Sequence, residues 1–284
     1  DRRSPEGTQT RSIQEDLRDN IGKYYDRYPV NTSSDPGLVM DENGLHYYWQ
    51  EKRDDYIQIF YARSDEFFGE LKDEMQISTS ASDSTMPYMI SDENARLHIV
   101  WTDNDGDGGE IHMSMSASGG RTWTRPVMVE ESTGHMFDPK FAKDSLSREH
   151  VVWIDDRNGN REIYHTYADP GHSWSAGERL TNTPEPSEDP EIDIDTEDNL
   201  HLVWEDGGSS GSEVFHMKAT DRGTSWGSPV QVSDSEEGAG EPSFGLSTTD
   251  AVHVCWRDSR DGESEIYYRK GPNGGDNWES EVRL

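Results

Sequence analysis

The sequence predicts an all-β protein: a five-bladed β-propeller with four-stranded antiparallel blades, preceded by a short N-terminal extension that contains a helix. The prediction rests on three residue types that recur in one register about every 52 residues. A Trp ends an apolar run in each unit, at Trp49, Trp101, Trp153, Trp204 and Trp256. A His stands three residues earlier, at His46, His98, His150, His201 and His253. A Pro opens each unit, at Pro36, Pro87, Pro139, Pro190 and Pro242.

The pattern inside one unit is a period-two alternation of apolar and polar residues, which indicates strands rather than helices. The fourth unit shows it most clearly, with PEIDID at 190–195, LHLVW at 200–204, EVFHMKA at 213–219 and PVQVS at 229–233. Four short strands in a unit of this length match a propeller blade, because other repeat classes are shorter or have helical periodicity.

The turn before the fourth strand has its own motif, which reads SASGGRTW at 116–123, YADPGHSW at 167–174, ATDRGTSW at 219–226 and GPNGGDNW at 271–278. It resembles the Asp-box of the sialidase superfamily of propellers and their non-enzymatic relatives. The matching residues are Asp169, Asp221 and Asn273 at the acidic position, Gly120, Gly171, Gly223 and Gly275, and Trp123, Trp174, Trp226 and Trp278. The glycines give a tight hairpin its backbone freedom. The resemblance implies that these boxes lie on the outer rim and are structural; the first unit has only a degenerate version around Ser64, Asp65 and Phe68.

Two segments are expected, an N-terminal arm at 1–26 and the propeller at 27–284. The stretch from Ser12 to Glu15 is a capping box, and Ile13, Leu17 and Ile21 follow at helical spacing, so a short helix is predicted at about 12–25. Its apolar stripe packs either on its own propeller or on a neighbouring subunit, where it would build a homo-oligomer or fibre. The chain ends within the fifth unit, and residues 27–35 are expected to supply what that unit lacks.

The composition is strongly acidic, with 58 Asp and Glu against 26 Lys and Arg and a formal net charge of -32. Such a surface repels nucleic acids and anionic lipid, so nucleic-acid binding is not expected. No apolar run approaches 18 residues, so membrane insertion is not expected. The sequence starts at Asp1 without Met, which fits an exported protein whose signal peptide has been removed, located outside the cell or at its surface. Cys255 lies in an apolar run and is expected to be a buried small hydrophobe.

One acid-rich loop has the spacing of a calcium site. Asp103, Asp105 and Asp107 follow the second strand of the second unit in a D-x-D-x-D-G pattern, although Ser114 stands where an EF-hand places Glu. A calcium ion at the three aspartates is one interpretation, and turn chemistry common to every unit is the other. The five repeated His residues are expected to be structural, because equivalent positions of different blades lie too far apart to share a metal ion.

The resemblance also says what a sialidase of this fold requires: three arginines for the substrate carboxylate, a Tyr nucleophile with its Glu, and an acidic Asp. The first arginine stands two residues before a Pro, and no unit here has Arg in that place; Pro36, for example, follows Ser34 and Asp35. No catalytic residue and no cofactor other than calcium is therefore predicted. The expected function is a non-catalytic assembly or adhesive module. The alternatives are a lectin-like module that stacks glycans or holds a surface protein on Tyr47, Tyr48 or Tyr88, and a sialidase-type exo-glycosidase.

Overall fold

The computed structural model describes residues 33–64, 70–104, 108–208, 211–235 and 237–284, and nearly all regular structure in them is β. The first sheet contains β1 (Ser33–Asp41), β2 (Gly44–Arg53), β3 (Tyr56–Ser64) and β4 (Lys72–Gln76). The second contains β5 (Asp83–Ser91), β6 (Leu97–Asn104), β7 (Gly109–Ser116) and β8 (Val127–Ser132). The third contains β9 (Met136–Lys143), β10 (Glu149–Asp155), β11 (Glu162–Ala168) and β12 (Glu178–Arg179). The fourth contains β13 (Ser187–Ile194), β14 (Leu200–Gly208), β15 (Gly211–Thr220), β16 (Ser225–Trp226) and β17 (Val230–Gln231). The fifth contains β18 (Ala239–Leu246), β19 (Val252–Asp258), β20 (Glu265–Gly271) and β21 (Val282–Arg283), with one helical turn, α1 (Pro272–Gly275), between its last two strands.

Each sheet is an antiparallel meander of strands in chain order, which confirms the predicted all-β class and the four-stranded unit. The fourth sheet differs only in that its outer strand is split into β16 and β17. β21 completes the fifth sheet by pairing with β20. Residues 33–35, which were expected to complete that sheet, instead belong to β1, where Ser33 and Ser34 pair with β2. The arm at 1–26 and residues 27–32 lie outside the described residues.

The first strand of every sheet has a two-residue bulge at the unit-opening proline. In the second sheet, for example, Thr85 pairs with Thr102 and Tyr88 with Val100, so Met86 and Pro87 together oppose Trp101. Equivalent register shifts occur in the other four sheets. The residue before each proline has a positive φ of 46° to 55°. The periodic Pro and Trp of the sequence therefore mark the two sides of one recurring bulge.

Neighbouring sheets are held together by apolar clusters in which the periodic Trp of each sheet faces the preceding one. Trp101, Trp153, Trp204 and Trp256 are at most 1% exposed. Each lies in a cluster that joins its own sheet to the sheet before it. A buried Trp removes about 150–250 Å² from water, which makes these residues the largest single contributors to inter-sheet packing.

The face of the fifth sheet that points away from the fourth sheet, which we call its outward face, is not covered in this way. Ile266 is 47% exposed and Leu284 is 74% exposed. Residues at the same position as Ile266 in the other sheets are all 0% exposed, namely Ile59, Ile111, Ile163 and Val214. The free Cys255 is partly exposed rather than buried, since it lies in this less covered sheet. We call the first strand of each sheet its inner strand; these are β1, β5, β9, β13 and β18. Among the described residues, the inner strands of successive sheets contact one another extensively, and no contact of similar extent joins β18 to β1.

In the described part of the chain, no helix has the length and apolar character needed to cross a bilayer.

Candidate functional site

The inner strands enclose a cavity of about 530 Å³ where four sheets face one another. Its lining includes the aromatic residues Tyr88, Phe141 and Phe244 and the acid Glu191. These residues lie on β5, β9, β18 and β13, the first strands of four of the five sheets. Phe141 is 1% exposed and stacks on His98, so Tyr88 and Phe244 are the aromatic residues that offer ring surface to the cavity. We call this space the central cavity.

A lysine flanked by two carboxylates borders the central cavity. Lys140 Nζ lies 3.0 Å from Glu191 Oε1 and 3.3 Å from Asp138 Oδ1. It also lies 5.2 Å from the ring centre of Tyr88. Burial disfavours the charged ammonium, but the two carboxylates outweigh it and raise the pKa of Lys140. Since two carboxylates share one ammonium, the cluster keeps a net negative charge when all three groups are ionised.

A set of acids lies toward the start of the inner strands, at the residues that precede the prolines. Four of these five positions carry an acid and the fifth carries Met, in the series Asp35, Met86, Asp138, Asp189 and Glu241. Burial, together with the charges of Glu205 and Asp138, raises the pKa of Asp189 to about 6. Left-handed backbone at non-glycine residues is strained, and such residues are concentrated at functional sites. We therefore include the starts of the inner strands in the candidate functional site.

The other end of the cavity is formed by the turns between first and second strands, where Asp92, Asp144 and Asp195 line it. Each accepts backbone N–H bonds from its own turn, as Asp195 does from Glu197 and Asn199. Lys143 forms an ion pair with Asp92. Burial raises the pKa of Asp92, but Lys143 and the backbone donors outweigh it and bring the pKa to about 2. This end is therefore anionic at neutral pH.

The periodic His residues are structural, as expected from the sequence. His46 contacts Asp41 (3.0 Å) on one side and the Tyr61 hydroxyl (2.7 Å) on the other. His201 contacts Asp195 (3.2 Å) and His216 (2.9 Å) in the same way. Four of the five are at most 1% exposed: His46, His98, His150 and His201. His46 and His201 therefore each link the turn after the first strand to the third strand of their own sheet.

Of the three tyrosines predicted to stack glycans, one lies where a ligand could reach it. Tyr88 lines the central cavity. Tyr47 and Tyr48 are each only 9% exposed and belong to apolar clusters of the first sheet. Their expected exposure was wrong, because strand β2 is buried over most of its length.

The turns with the box motif pack against the preceding sheet. Trp123 stands edge-on to Tyr61 with ring centres 4.9 Å apart. Trp226 and Trp278 contact His165 and His216 in the same manner, and Trp174 packs in the cluster that joins the second and third sheets. The matching glycines Gly120, Gly171, Gly223 and Gly275 all have positive φ of 76° to 82°. The side chains that the sequence places at the acidic position do not share one role.

The acidic positions of the motif differ in the contacts they make. The carboxylate of Asp169, for example, accepts two hydrogen bonds from Arg148, at 2.8 and 3.0 Å, instead of closing its own turn. Asp221 and Asn273 have left-handed backbone, with φ of 52° and 53°.

The predicted calcium aspartates are only partly described, since Asp105 and Asp107 lie outside the described residues. Asp103 is 6% exposed, and its Oδ1 accepts a hydrogen bond from Trp101 Nε1 at 3.0 Å. The groups that the structure brings to Asp103 are Glu110 and His112, whose ligand atoms all lie within 4.8 Å of one another and of the aspartate. The sequence motif did not include these two residues. Strand pairing was the signal that could have found them, because Asp103 pairs with Glu110 across the β6–β7 hairpin.

No family model and no curated protein matches this chain. Solved structures do resemble it. A Hadza microbial sialidase aligns with a TM-score of 0.59 and 15% identity, over 89% of this chain and 58% of that one. An ulvan lyase bound to its oligosaccharide aligns with a TM-score of 0.64 and 12% identity, over 88% and 68%. The α-L-arabinofuranosidase of Fusarium graminearum aligns with a TM-score of 0.61 and 15% identity, over 86% and 78%. At such identities the likeness concerns the fold, and this chain has the propeller-type fold found in these glycan-active proteins.

Proposed function

We propose that this protein is a non-catalytic, secreted or cell-surface propeller that binds a neutral glycan in its central cavity. The observation that carries the proposal is the composition of that cavity, which combines the partly exposed rings of Tyr88 and Phe244 with several carboxylates. Sugar rings pack their C–H faces on aromatic rings, and their hydroxyls donate hydrogen bonds to carboxylates. Proteins of similar fold act on glycans, as their names state, which supports a glycan as the ligand.

The charges of the cavity favour a neutral sugar over an acidic one. Lys140 and Lys143, its bordering cations, are both paired with carboxylates. Among the described residues that line the cavity there is no arginine. A substrate carboxylate would therefore meet net negative charge and no bidentate donor, which argues against a sialidase-type exo-glycosidase.

A glycan array followed by calorimetry with the full chain tests the proposal. We expect neutral glycans to bind and sialosides not to bind. Tyr88→Ala removes the stacking ring and should weaken binding by about tenfold, equivalent to about 1.4 kcal/mol. Tyr88→Phe, the matched control, keeps the ring and should bind nearly as wild type does.

Three results would contradict the proposal: an array with no bound neutral glycan, a Tyr88→Ala variant that binds as wild type does, or turnover of a fluorogenic sialoside. The last of these would favour the exo-glycosidase.

We also infer that the four turns with glycines of positive φ are Asp-boxes. Their support is the shared position before the outer strand and the packing of Trp123, Trp226 and Trp278 on the preceding sheet. The varied contacts of the acidic position, of which Asp169 is one example, fit a structural role for these turns.

A second candidate function is self-assembly, favoured by the exposed outward face of the fifth sheet. Ile266, Val282 and Leu284 are 47%, 52% and 74% exposed on its outer two strands and at its C-terminus. The apolar cluster of the first sheet, which includes Trp49 and Phe60, is already buried. The same face of a second copy is therefore the simplest partner, and the two would form a two-fold dimer. A fibre built through the arm at 1–26 stays a prediction.

A further inference from the structure

Every sheet contains a carboxylate two residues after its periodic Trp, buried in four of the sheets and half-buried in the fourth sheet, and the five copies allow a comparison within one chain. In each, the Trp Nε1 donates to that carboxylate at 2.9 to 3.4 Å. The five acids are Glu51, Asp103, Asp155, Asp206 and Asp258. A buried carboxylate requires compensation by a cation or by hydrogen bonds.

Three sheets compensate this charge with an arginine two residues further on. Arg157 lies 2.6 Å from Asp155, and its guanidinium stacks 4.6 Å from the ring centre of Tyr164. The first and fifth sheets repeat the arrangement with Arg53 and Arg260. The fourth sheet uses hydroxyls, since Thr183 and Ser187 both donate to Asp206.

The second sheet departs from this pattern at two positions. The arginine position carries an acid in the sequence, Asp105. The stacking aromatic is replaced by His112, which packs on Trp101 with ring centres 6.0 Å apart. The cross-strand partner of Asp103, Glu110, is an acid as in the third, fourth and fifth sheets, so it is not part of this departure. Arg125 lines a second cavity together with Asp103, Glu110 and His112. Its side chain is exposed, and no ion pair among the described residues joins it to Asp103.

The three side chains converge in a way that suits a metal ion. His112 Nε2 lies 2.7 Å from Glu110 Oε2 and 3.7 Å from Asp103 Oδ2. Ligands of a tetrahedral zinc ion, each about 2.1 Å from the metal, are separated by about 3.4 Å, so these spacings need little adjustment. Trp101 holds Oδ1 of Asp103 and leaves Oδ2 directed at the imidazole, which is how an outer hydrogen bond orients a ligating carboxylate.

A second observation at the same place is a buried hydroxyl without a well-formed hydrogen bond. Ser84 pairs with Asp103 across β5 and β6 and is 0% exposed; its hydroxyl lies near the Asp103 carboxyl, yet its Oγ makes no hydrogen bond of good geometry. The equivalent Ser187 donates to Asp206 at 2.9 Å. A cavity of about 560 Å³, lined by Asp103, Glu110 and His112, gives solvent access to the cluster.

We propose that Asp103, Glu110 and His112 bind a divalent transition metal of the zinc class, which supplies the positive charge that arginine supplies in three other sheets. Two carboxylates and one imidazole form a mixed O/N donor set that suits zinc, with water as a fourth ligand. Calcium, which the sequence motif favoured, prefers six to eight oxygen ligands and is not served by an imidazole. This site is separate from the central cavity and independent of glycan binding.

The test is calorimetry of the chelator-treated full chain with ZnCl2 and with CaCl2, combined with the visible spectrum of the Co2+-loaded protein. We expect one zinc ion per chain, a rise in Tm with zinc, and weaker or no binding of calcium. His112→Tyr installs the aromatic found in the third and fifth sheets, so it should fold, lose the tetrahedral cobalt spectrum and bind zinc at least about tenfold more weakly.

Glu265→Gln in the fifth sheet is the matched control, since Glu265 pairs with Asp258 as Glu110 pairs with Asp103. It should bind zinc as wild type does. The proposal is overturned if zinc does not bind stoichiometrically, if His112→Tyr binds it with unchanged affinity, or if calcium binds more tightly than zinc.

Discussion

Two stacked imidazole pairs are buried in the third and fourth sheets. His150 Nδ1 lies 3.2 Å from His165 Nε2, and His201 Nδ1 lies 2.9 Å from His216 Nε2. Burial, with the neighbouring imidazole charge, holds the pKa of His165 well below its usual value. Burial, followed by the charges of His201 and Lys218, lowers the pKa of His216 to about 3. Both pairs are therefore neutral in the folded protein at pH 7.

The buried His216 should make the fold acid-sensitive. Its pKa falls from 6.5 to about 3 on folding, so its contribution to stability is complete above pH 6.5 and is lost as the pH falls toward 3. His216→Tyr removes this titration and installs the residue found at the same place in the first and fifth sheets, Tyr61 and Tyr268, which bond their own His at 2.7 Å. Relative to wild type, the variant should gain about 2 kcal/mol between pH 8 and pH 5.

Urea denaturation at both pH values measures this difference. At pH 8 the two proteins should have similar stability, which serves as the internal control for packing. Parallel loss of stability in wild type and variant between pH 8 and pH 5 would show that His216 does not titrate as inferred.

At the scale of residues, the sequence predicted positions better than contacts. The repeated His, Pro and Trp were found from their spacing. The structural role of the His residues follows from the burial of their side chains. Glu110 and His112 were missed because they lie on strand β7, outside the loop motif that singled out Asp103. Tyr47 and Tyr48 were assigned to the surface because alternation along a strand does not reveal whether its second face is covered by another sheet.

The bulges at the start of the inner strands could not be predicted from the sequence. The residue before a proline usually adopts an extended backbone, whereas all five here have positive φ, from 46° at Asp138 to 55° at Met86. The repeated proline was visible in the sequence. The left-handed backbone of the residue before it, however, depends on the pairing of the segments on both sides of the bulge with the second strand, which the sequence does not show. These bulges set the acids at the strand starts next to Lys140 and therefore position the candidate site.

The turns before the outer strands join one sheet to the previous one, and their glycines provide a test of that role. Gly120 and Gly171 have the same φ of 77°. A Cβ at Gly120 would lie 1.6 Å from the Tyr61 hydroxyl of the preceding sheet, whereas a Cβ at Gly171 would meet nothing within 4 Å. The two positions therefore separate backbone strain from inter-sheet contact.

Gly120→Ala should destabilise the protein more than Gly171→Ala. Each substitution carries a backbone strain of about 1–2 kcal/mol. Gly120→Ala in addition displaces Tyr61 and the edge contact with Trp123, so an extra loss of about 2 kcal/mol is expected. Chemical denaturation of the two variants checks this. Equal losses would mean that the turn does not fasten the second sheet to the first.

For the whole molecule, the repeat predicted five four-stranded units, and five sheets in that order are present. Counting residues could not establish how the last sheet meets the first, because that contact depends on two surfaces far apart in sequence. The interior sheets share their apolar faces with a neighbour on each side. The fifth sheet keeps Ile266 and Leu284 exposed on its outward face, and this is the face through which we propose that copies of the chain associate.

Ile266→Asp should abolish self-association of the full chain. An aspartate at the centre of the exposed face would have to be desolvated in a two-fold dimer and would face its own copy, so both burial and like-charge repulsion oppose assembly. Sedimentation velocity in 0.5 M NaCl, which screens the net charge of -32, should show a concentration-dependent dimer for wild type and a monomer for the variant. Val127→Asp, at an apolar residue 52% exposed on the second sheet, is the control and should dimerise as wild type does. A wild-type chain that stays monomeric at high concentration would refute the assembly role, and a species that grows beyond the dimer would indicate a contact other than the paired fifth sheets.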